Sequence, residues 1–287
     1  MRPAELQYTR ALSVEDLGQL LRRGDGATPM AGGQGLMRDL RGRTLSVGRL
    51  VDISRLTELA YVREDGDALE IGAVTTLATV AGDPLVTRRC PALATAASRV
   101  ADVQIRSRGT VGGNICGSWV PSEWSNDVGV VLTASGGQVL VQSSNGQRTV
   151  AAAEFTGAFE NPLAPGEFIR ALRFGLATGS GYVRLSRRWA DSSIGSAAAF
   201  VDEAGGRLRV GLAVGRIHHR TAALDAVARA VEADGLDSAS VTAALQDAAA
   251  SFTVPDTVQA DADYRRSVLP VVVRRAVREA MTNGGLR

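Results

Sequence analysis

Two glycine-rich segments constrain the fold of this chain more than any other feature of its sequence. The first is Ala31-Gly32-Gly33-Gln34-Gly35, and the second is Thr110-Val111-Gly112-Gly113-Asn114. Glycine lets a backbone approach a phosphate without a Cβ in the way, and successive amide N–H groups can then converge on the phosphate oxygens. A helix that begins at Leu36 would add its N-terminal dipole. The pair therefore indicates a diphosphate held from two sides.

Other phosphate-binding and metal-binding motifs are excluded. Neither segment has the G-x-G-x-x-G pattern of a Rossmann fold. The chain has 32 Lys+Arg, all of them arginine, so a Walker-type loop ending in Gly-Lys and a Schiff-base lysine are both excluded. Two histidines and two cysteines are too few for a four-cysteine iron–sulfur cluster or a histidine-rich zinc site. We expect no metal ligands in this chain.

The composition is that of an ordinary globular protein. The chain has 287 residues, of which 45% are hydrophobic and 22% charged, and this length predicts about two domains. A net charge of +2 argues against a dedicated nucleic-acid binder. No apolar run approaches the ~20 residues of a membrane span, and the N-terminus lacks the apolar stretch of a signal peptide. Two cysteines suit a reducing compartment, so we expect a cytoplasmic location.

Periodicity and capping residues predict alternating helices and strands. Ser13, with Asp16 three residues on, caps a helix that ends before Gly24. Further helices are predicted at residues 76–81, 91–100, 221–231, 238–250 and 261–281. Extended segments are predicted at residues 28–30, 49–53, 69–73, 138–142, 182–186, 197–201 and 208–214. Gly205-Gly206 marks a turn, and segment 175–181, which contains three glycines, predicts a linker.

The glycine-rich segments and their surroundings resemble the FAD-binding medium subunit of the molybdenum hydroxylases, the family of carbon monoxide dehydrogenase and xanthine dehydrogenase. The more specific motif runs from Gln104 through Ile105-Arg106-Ser107-Arg108-Gly109 into the second segment. Val51-Asp52-Ile53 also fits the family. The motifs at residues 182–188 and 262–266 resemble its C-terminal domain. The resemblance therefore covers essentially the whole chain.

The resemblance implies an α+β fold with two domains. Residues 1–176 would form an FAD-binding domain of the vanillyl-alcohol-oxidase (PCMH) type, with subdomains at about 1–56 and 57–176. Residues 177–287 would form a smaller α+β C-terminal domain of the carbon monoxide dehydrogenase flavoprotein type, with a three-stranded sheet and helices.

The resemblance also implies a set of cofactor-binding residues. The two segments would hold the FAD diphosphate, with Thr110 adding a hydroxyl donor. Val100 and Ile169 would lie beside the cofactor, and Asp127 would meet the ribityl chain. Arg184 would place a cation near the flavin, where it stabilises the anionic reduced form. The full set is Met30, Ala31, Gly32, Gly33, Gln34, Gly35, Leu36, Val100, Thr110, Val111, Gly112, Gly113, Asn114, Asp127, Ile169 and Arg184.

Three features depart from the family pattern. Gly35 stands where the family usually has serine, so one hydroxyl donor is missing. The segment after Asn114 is a few residues longer than usual, which leaves two candidates for the ribityl carboxylate. Asp127 precedes the same apolar run as in the family, whereas Glu123 has the family's distance from Asn114; we favour Asp127. Two tryptophans of this segment, Trp119 and Trp124, would lie near the flavin.

By the same resemblance, the chain would pass electrons from [2Fe–2S] clusters on a small subunit through FAD to NAD+, a quinone or O2. A large molybdopterin subunit would hydroxylate the substrate, and the three chains would form a dimer of heterotrimers. This chain would then need no catalytic side chain of its own. The departures leave an alternative, an FAD-free scaffold that joins the other two subunits. A stand-alone flavoenzyme is a third interpretation, weakened by the lack of a candidate base.

Other conspicuous residues are interpreted as structural. His218-His219 would be a solvated pair in a loop between a strand and a helix. Cys116 would be a small buried filler rather than a residue at the flavin, and Cys90 would be inert. The motif Asp263-Tyr264-Arg265-Arg266 would cap and anchor the last helix rather than contact a ligand.

Overall fold

The chain begins with a small parallel sheet. The computed structural model describes residues 6–23, 25–117 and 126–286. Strands β1 (Gln7–Arg10), β2 (Ala27–Met30) and β3 (Arg49–Asp52) lie in the order β1-β3-β2. Helix α1 (Val14–Leu21) connects β1 to β2, and helix α2 (Gln34–Gly42) connects β2 to β3. The Ser13 hydroxyl accepts a hydrogen bond from the Asp16 amide at 3.1 Å, so the predicted N-cap of α1 is confirmed.

A five-stranded antiparallel sheet follows. Its strands are β4 (Val62–Asp65), β5 (Ala68–Gly72), β6 (Gln138–Ser143), β7 (Gly146–Ala151) and β8 (Phe168–Gly175), in the order β4-β5-β8-β6-β7. The described residues between β5 and β6 form six helices: α3 (Leu77–Gly82), α4 (Pro84–Arg89), α5 (Pro91–Arg99), α6 (Val103–Arg106), α7 (Val111–Cys116) and α8 (Asp127–Ala134). Helix α9 (Ala152–Gly157) follows β7.

The C-terminal part is a second antiparallel sheet with three helices. Strands β9 (Gly179–Leu185), β10 (Gly195–Ala204) and β11 (Arg207–Gly215) are the three predicted ones, and a two-residue fourth strand, β12 (Ala222–Ala223), extends the sheet beside β11. The predicted turn at Gly205-Gly206 is confirmed, because both residues have the positive φ that glycine adopts without strain. Helices α10 (Asp225–Asp234), α11 (Ala239–Ser251) and α12 (Ala262–Asn283) complete the chain.

Two sequence-based predictions in this region are wrong. The helix predicted from residue 221 begins at Asp225, because residues 222–223 pair with β11 instead. The linker predicted at residues 175–181 is reduced to residues 176–178, since both flanking strands extend into it. Gly181 is not a linker glycine: a Cβ on it would lie 2.5 Å from the carbonyl oxygen of Ala276 in α12. Glycine is required there because α12 packs directly on β9.

Helix α8 joins the antiparallel sheets. All eight of its residues are buried. A Cβ on Gly215 of β11 would lie 2.5 Å from Val130 Cγ2, and one on Gly211 would collide with the carbonyl oxygen of Ala134. The missing side chains of these two glycines let the C-terminal sheet pack closely against α8. Among the described helices, none combines the length and the apolar character that crossing a bilayer requires.

Candidate functional site

The first glycine-rich segment forms the turn from β2 into α2. Gly33 has φ +70° and is the N-cap of α2. The helix starts at Gln34, two residues earlier than predicted, so Gln34 and Gly35 lie in its first turn. The amide groups of residues 34–36 have no carbonyl partner inside the helix, as in any helix. Apart from its chain neighbours and the backbone of α2, no atom lies within 4 Å of the position that a Cβ on Gly35 would occupy. This turn therefore offers amide donors beside open space.

Met30, Ala31 and Leu36 flank this turn. The Met30 carbonyl oxygen accepts a hydrogen bond from the Ile53 amide at 3.0 Å, which fixes the end of β2 against β3. The Gln34 side chain donates to the Gly32 carbonyl oxygen at 3.1 Å. Ala31 and Leu36 are half-buried. The turn is therefore held by its own side chains and by the neighbouring strand.

The second segment forms the start of α7. Thr110 is the N-cap, and its hydroxyl accepts from the Gly113 amide at 3.2 Å. The Val111 amide donates to the Thr75 carbonyl oxygen at 3.0 Å, and the Gly112 amide donates to that of Ala73 at 3.0 Å. A Cβ on Gly112 would lie 2.9 Å from the Ala73 Cβ. The first three amides of α7 are therefore used within the chain, and the Thr110 hydroxyl hydrogen stays available as a donor.

The two segments meet. A Cβ on Gly32 would collide with the carbonyl oxygen of Arg108 and would lie 3.0 Å from Gly109 Cα. The Gly109 carbonyl oxygen in turn accepts from the Leu77 amide at 2.8 Å. The loop that leads into α2 is thus pressed, at Gly32, against the residues that lead into Thr110. The structure brings together the two segments that the sequence keeps far apart.

Asp127, Tyr182 and Arg184 form a buried cluster where α8 meets β9. The Tyr182 hydroxyl donates to Asp127 Oδ1, and Arg184 Nη1 lies 3.4 Å from Asp127 Oδ2. Burial raises the pKa of the Asp127 carboxyl, against the opposing effect of the Arg184 charge. Burial also raises the pKa of Tyr182 well above its usual range, so the phenol is the proton donor in this pair. Asn114 reaches the same helix end, since its Oδ1 accepts from the Val128 amide at 3.2 Å.

Arg184 also binds two carbonyl oxygens. Its Nη1 donates to that of Arg99 at the end of α5, and its Nη2 donates to that of Asp191 in the loop between β9 and β10. Its Nε is buried without a hydrogen-bond partner in the described chain. The side chain is therefore fixed in place, with its Nε–H donor still unused.

The two predicted apolar residues lie on different elements. Val100 is the C-cap of α5, and its carbonyl oxygen accepts from Arg106 Nη1 at 3.0 Å. Ile169 is buried in β8. Arg170 follows Ile169, and its carbonyl oxygen accepts a hydrogen bond from the Ala73 amide at 2.9 Å. The Ala73 carbonyl oxygen in turn accepts one from the Gly112 amide. Ile169 is therefore next to the strand that supports the second segment, while Val100 is next to the Arg184 cluster.

Sequence reasoning missed Tyr182 and Ala73 as parts of this site. Tyr182 is two residues before Arg184 in β9, and residues two apart in a strand point to the same face. This alternation could have identified Tyr182 as a neighbour of Arg184 in the site. Ala73 contributes only its backbone, for which the sequence carries no signal. The alternative carboxylate Glu123, and also Trp119 and Trp124, lie outside the described residues.

The remaining conspicuous residues have structural contacts. Burial raises the pKa of both Cys90 and Cys116 to about 12, so both thiols are protonated near neutrality. His218 is not simply solvated, because its ring packs on Phe252 with centroids 5.1 Å apart. Arg265 is fully buried and donates to the carbonyl oxygens of Ile194 and Arg216. Within the described ranges, no group of three or more His, Cys, Asp or Glu side chains could hold a metal ion.

Comparisons with known proteins cover nearly the whole chain. A family model described as the FAD binding domain in molybdopterin dehydrogenase matches residues 4–175. A second, described as the CO dehydrogenase flavoprotein C-terminal domain, matches residues 180–280. The chain is 29% identical to the glyceraldehyde dehydrogenase medium chain of Sulfolobus acidocaldarius, over 97% of this chain and 99% of the relative.

A second relative and a solved structure agree with these matches. The chain is 33% identical to the 6-hydroxypseudooxynicotine dehydrogenase complex subunit alpha of Paenarthrobacter nicotinovorans, over 98% of this chain and 96% of the relative. Its fold matches a chain of the reconstituted CO dehydrogenase from Oligotropha carboxidovorans with a TM-score of 0.91 and 27% identity, over 99% of this chain and 100% of that chain.

Proposed function

Because this chain belongs to the family of FAD-binding medium subunits of the molybdenum hydroxylases, we propose that it carries electrons between two partners. In this proposal electrons arrive from [2Fe–2S] clusters on a small subunit and leave to an external acceptor. The acceptor classes are NAD+, a quinone and O2. FAD, when bound, supplies a redox centre that this chain's side chains do not provide.

The observation that carries the proposal is the meeting of the two glycine-rich segments. The first-turn amides of α2 lie beside open space at Gly35, and Arg108 and Gly109, which lead into the second segment, pack against Gly32 just before that turn. Unused amides and a helix N-terminus attract anions. Because the amides of residues 111–113 are already bonded, we assign the diphosphate chiefly to the first segment. Thr110 then adds a hydroxyl donor from the second.

The buried cluster fits the flavin end of the cofactor. Arg184 has a permanent positive charge and one unused buried donor, Nε, and both suit an electron-rich ring edge. Asp127 and Tyr182 hold this cation in position. The proposed FAD-binding residues are Met30, Ala31, Gly32, Gly33, Gln34, Gly35, Leu36, Val100, Thr110, Val111, Gly112, Gly113, Asn114, Asp127, Ile169 and Arg184. We propose residues 1–176 as the FAD-binding domain, with subdomains at about 1–56 and 57–176, and residues 177–287 as the C-terminal domain.

The partners follow from the family. Relatives are named as a medium chain and as a subunit of a dehydrogenase complex, so the proposed partners are an iron–sulfur small subunit and a molybdopterin large subunit. We propose that these chains assemble as a dimer of heterotrimers. The substrate would be bound by the large subunit, so this chain's residues select the electron acceptor and not the substrate.

Substitution of Gly35 tests the proposal. Gly35→Asp places a carboxylate in the first turn of α2, where an acidic residue stabilises the helix but repels a diphosphate. A Cβ at this position meets no other atom, so Gly35→Ala is a matched control for the added side chain. We expect the wild type and Gly35→Ala to copurify with FAD and absorb at roughly 450 nm. Gly35→Asp should fold equally well, bind FAD at least roughly tenfold more weakly and copurify with less flavin.

Two results would count against FAD binding at this site. If the wild-type chain in its complex contains no flavin, the chain is the FAD-free scaffold considered above. If Gly35→Asp retains flavin as well as Gly35→Ala does, the diphosphate is bound elsewhere. Thermal unfolding of each variant shows that the comparison is made between folded proteins.

A further inference from the structure

Trp189 is the one tryptophan that the structure describes, and it is 59% exposed. Exposure of so large an apolar ring is unfavourable in water. The ring is nevertheless held in one orientation, because the Arg99 guanidinium carbon lies 3.7 Å from its centroid. A cation at this distance from an indole is a cation–π contact. The result is a fixed aromatic surface with more than half of its area open to solvent.

The loop that carries Trp189, residues 186–194, is fastened on both sides of the ring. Arg184 donates to the carbonyl oxygens of Arg99 and Asp191, so one side chain ties α5 to this loop. The Ile194 amide closes the loop on the Leu185 carbonyl oxygen at 2.7 Å. Because the ring is already fixed, a ligand that stacks on it loses less conformational entropy on binding than it would with a mobile side chain.

The position of this surface connects it to the proposed flavin site. Arg99, which supports the ring, is followed directly by Val100. Arg184, which fastens the loop, belongs to the cluster with Asp127. Both Val100 and Arg184 are in the proposed FAD-binding set. A molecule stacked on Trp189 would therefore border the flavin end of that set.

The charge around Trp189 points to the class of ligand. Arg187 and Arg188 precede the ring and are exposed, and neither forms an ion pair within the described chain. A stacking surface with adjacent guanidinium groups suits a molecule that combines flat rings with phosphates. We propose that a pyridine dinucleotide stacks on Trp189 and is held through its phosphates by Arg187 and Arg188. This inference rests on the proposed function. It names the electron acceptor, which the proposed function leaves open.

Binding of NAD+ to the FAD-loaded chain tests the proposal by isothermal titration calorimetry. We expect Trp189→Ala and the double variant Arg187→Gln/Arg188→Gln each to weaken NAD+ binding by roughly tenfold, the size of a lost stacking or phosphate contact. Trp189→Phe keeps a ring and should retain most of the affinity. Arg22→Gln/Arg23→Gln removes another adjacent, exposed arginine pair and should bind as the wild type does.

Each other outcome overturns the proposal. It is wrong if the wild type binds no NAD+ up to about millimolar concentration, where specific binding would be detectable, or if Trp189→Ala binds it as tightly as the wild type. Menadione, a quinone without phosphates, is the second probe. If menadione binding depends on Trp189 while NAD+ binding does not depend on Arg187 and Arg188, the acceptor is a neutral quinone. FAD content is measured first in each preparation, so that absence of flavin is recognised as failure of the proposed function instead.

Discussion

Asp52 shows how a single residue holds the edge of the proposed diphosphate site. It ends β3, opposite Met30 in the register with β2. Its carboxylate accepts hydrogen bonds from the Tyr8 hydroxyl at 2.6 Å, the Ser54 amide at 2.9 Å and Arg10 Nε at 3.2 Å. Burial alone would raise the pKa of this carboxyl, but these donors outweigh burial and hold it at about 2. The outer strand β1 is thereby attached to the end of β3.

We expect Asp52→Asn to destabilise the chain by about 2 kcal/mol at pH 7, the free energy that corresponds to the lowered pKa. Because the folded-state pKa lies below the unfolded value of 3.8, this stabilisation is complete above about pH 5 and disappears as the pH falls towards 2. Urea unfolding of wild type and variant should therefore show a constant difference from pH 8 to pH 5 and a shrinking one below pH 4.

The matched control is Asp237→Asn, which removes a carboxylate from an exposed ion pair with Arg278. We expect less than about 0.5 kcal/mol of change there at any of these pH values, because exposed pairs contribute little. A difference between wild type and Asp52→Asn that does not vary with pH would show that the carboxylate charge is not the cause.

At the scale of single residues, a feature could be predicted from the sequence when neighbouring residues cause it, and not when it depends on distant parts of the chain. The glycine turns could be predicted, because the positive φ at Gly33 favours glycine and the close approach at Gly32 leaves no room for a Cβ. The contact between Tyr182 and Asp127 could not, because the two residues meet only when β9 packs beside α8. The sequence also could not show that the Val111 and Gly112 amides are bonded within the chain, since their acceptors, the Thr75 and Ala73 carbonyl oxygens, come from another part of the chain.

Among helices and strands, too, features with a local cause were predicted, whereas the packing of β9 on α12 was not. Caps are local, so Ser13 correctly marked the start of α1. The helices predicted from residues 238 and 261 begin one residue later, with Ser238 and Asp261 as their N-caps. Gly179 and Gly181 indicated a linker by composition. In the structure they alternate along β9 on the face that α12 covers, where a side chain would meet the helix backbone. Glycine for flexibility and glycine for close packing look the same in a sequence.

Gly181→Ala should destabilise the chain by about 2–3 kcal/mol, because the added methyl group overpacks a contact between backbones. Its Cβ would lie 2.5 Å from the Ala276 carbonyl oxygen and 2.7 Å from the Ala280 amide nitrogen. Gly82→Ala is the control, since this glycine is near the end of α3 and a Cβ on it meets no atom within 4 Å. We expect that variant to be unchanged or stabilised by up to about 1 kcal/mol. Equal stability of Gly181→Ala and wild type in urea unfolding would contradict the close packing.

Helix α8 connects the five-stranded sheet to the C-terminal sheet. It is buried on all sides, and its first residue, Asp127, meets Tyr182 and Arg184 of the C-terminal sheet. The α+β class and the family were predicted from sequence motifs, and both are confirmed by the fold and by matches that span the chain. The packing of α8 against the C-terminal sheet was not predicted. The apolar run at residues 128–132 indicates burial but not the partner that covers it.

We expect Arg184→Ala to destabilise the chain by about 3–5 kcal/mol, since it leaves Asp127 as a buried charge without its cation. Burial already raises the pKa of Asp127, so the folded variant gains stability when it takes up a proton. The loss should therefore be smaller at pH 5 than at pH 8. The same variant should bind FAD more weakly or shift its reduction potential.

Two comparisons make this result specific. Arg274→Ala removes a half-buried arginine that bonds only the Thr242 hydroxyl among the described residues, and it should change neither stability nor FAD binding. Arg184→Lys keeps the charge and should recover part of both. If Arg184→Ala unfolds with the wild-type midpoint at both pH values, the cluster does not hold the two parts of the chain together.

The contact between Gly32 and Arg108 has a consequence for the order of folding. The segment between them contains β3, β4, β5 and helices α2 to α6, so this contact forms only after a long stretch of chain has become ordered. Contacts between residues distant in sequence form slowly and late. A ligand that bridges them binds only the completed arrangement, and by mass action it stabilises that arrangement over every earlier intermediate. Cofactor supply during synthesis should therefore govern how much mature protein accumulates.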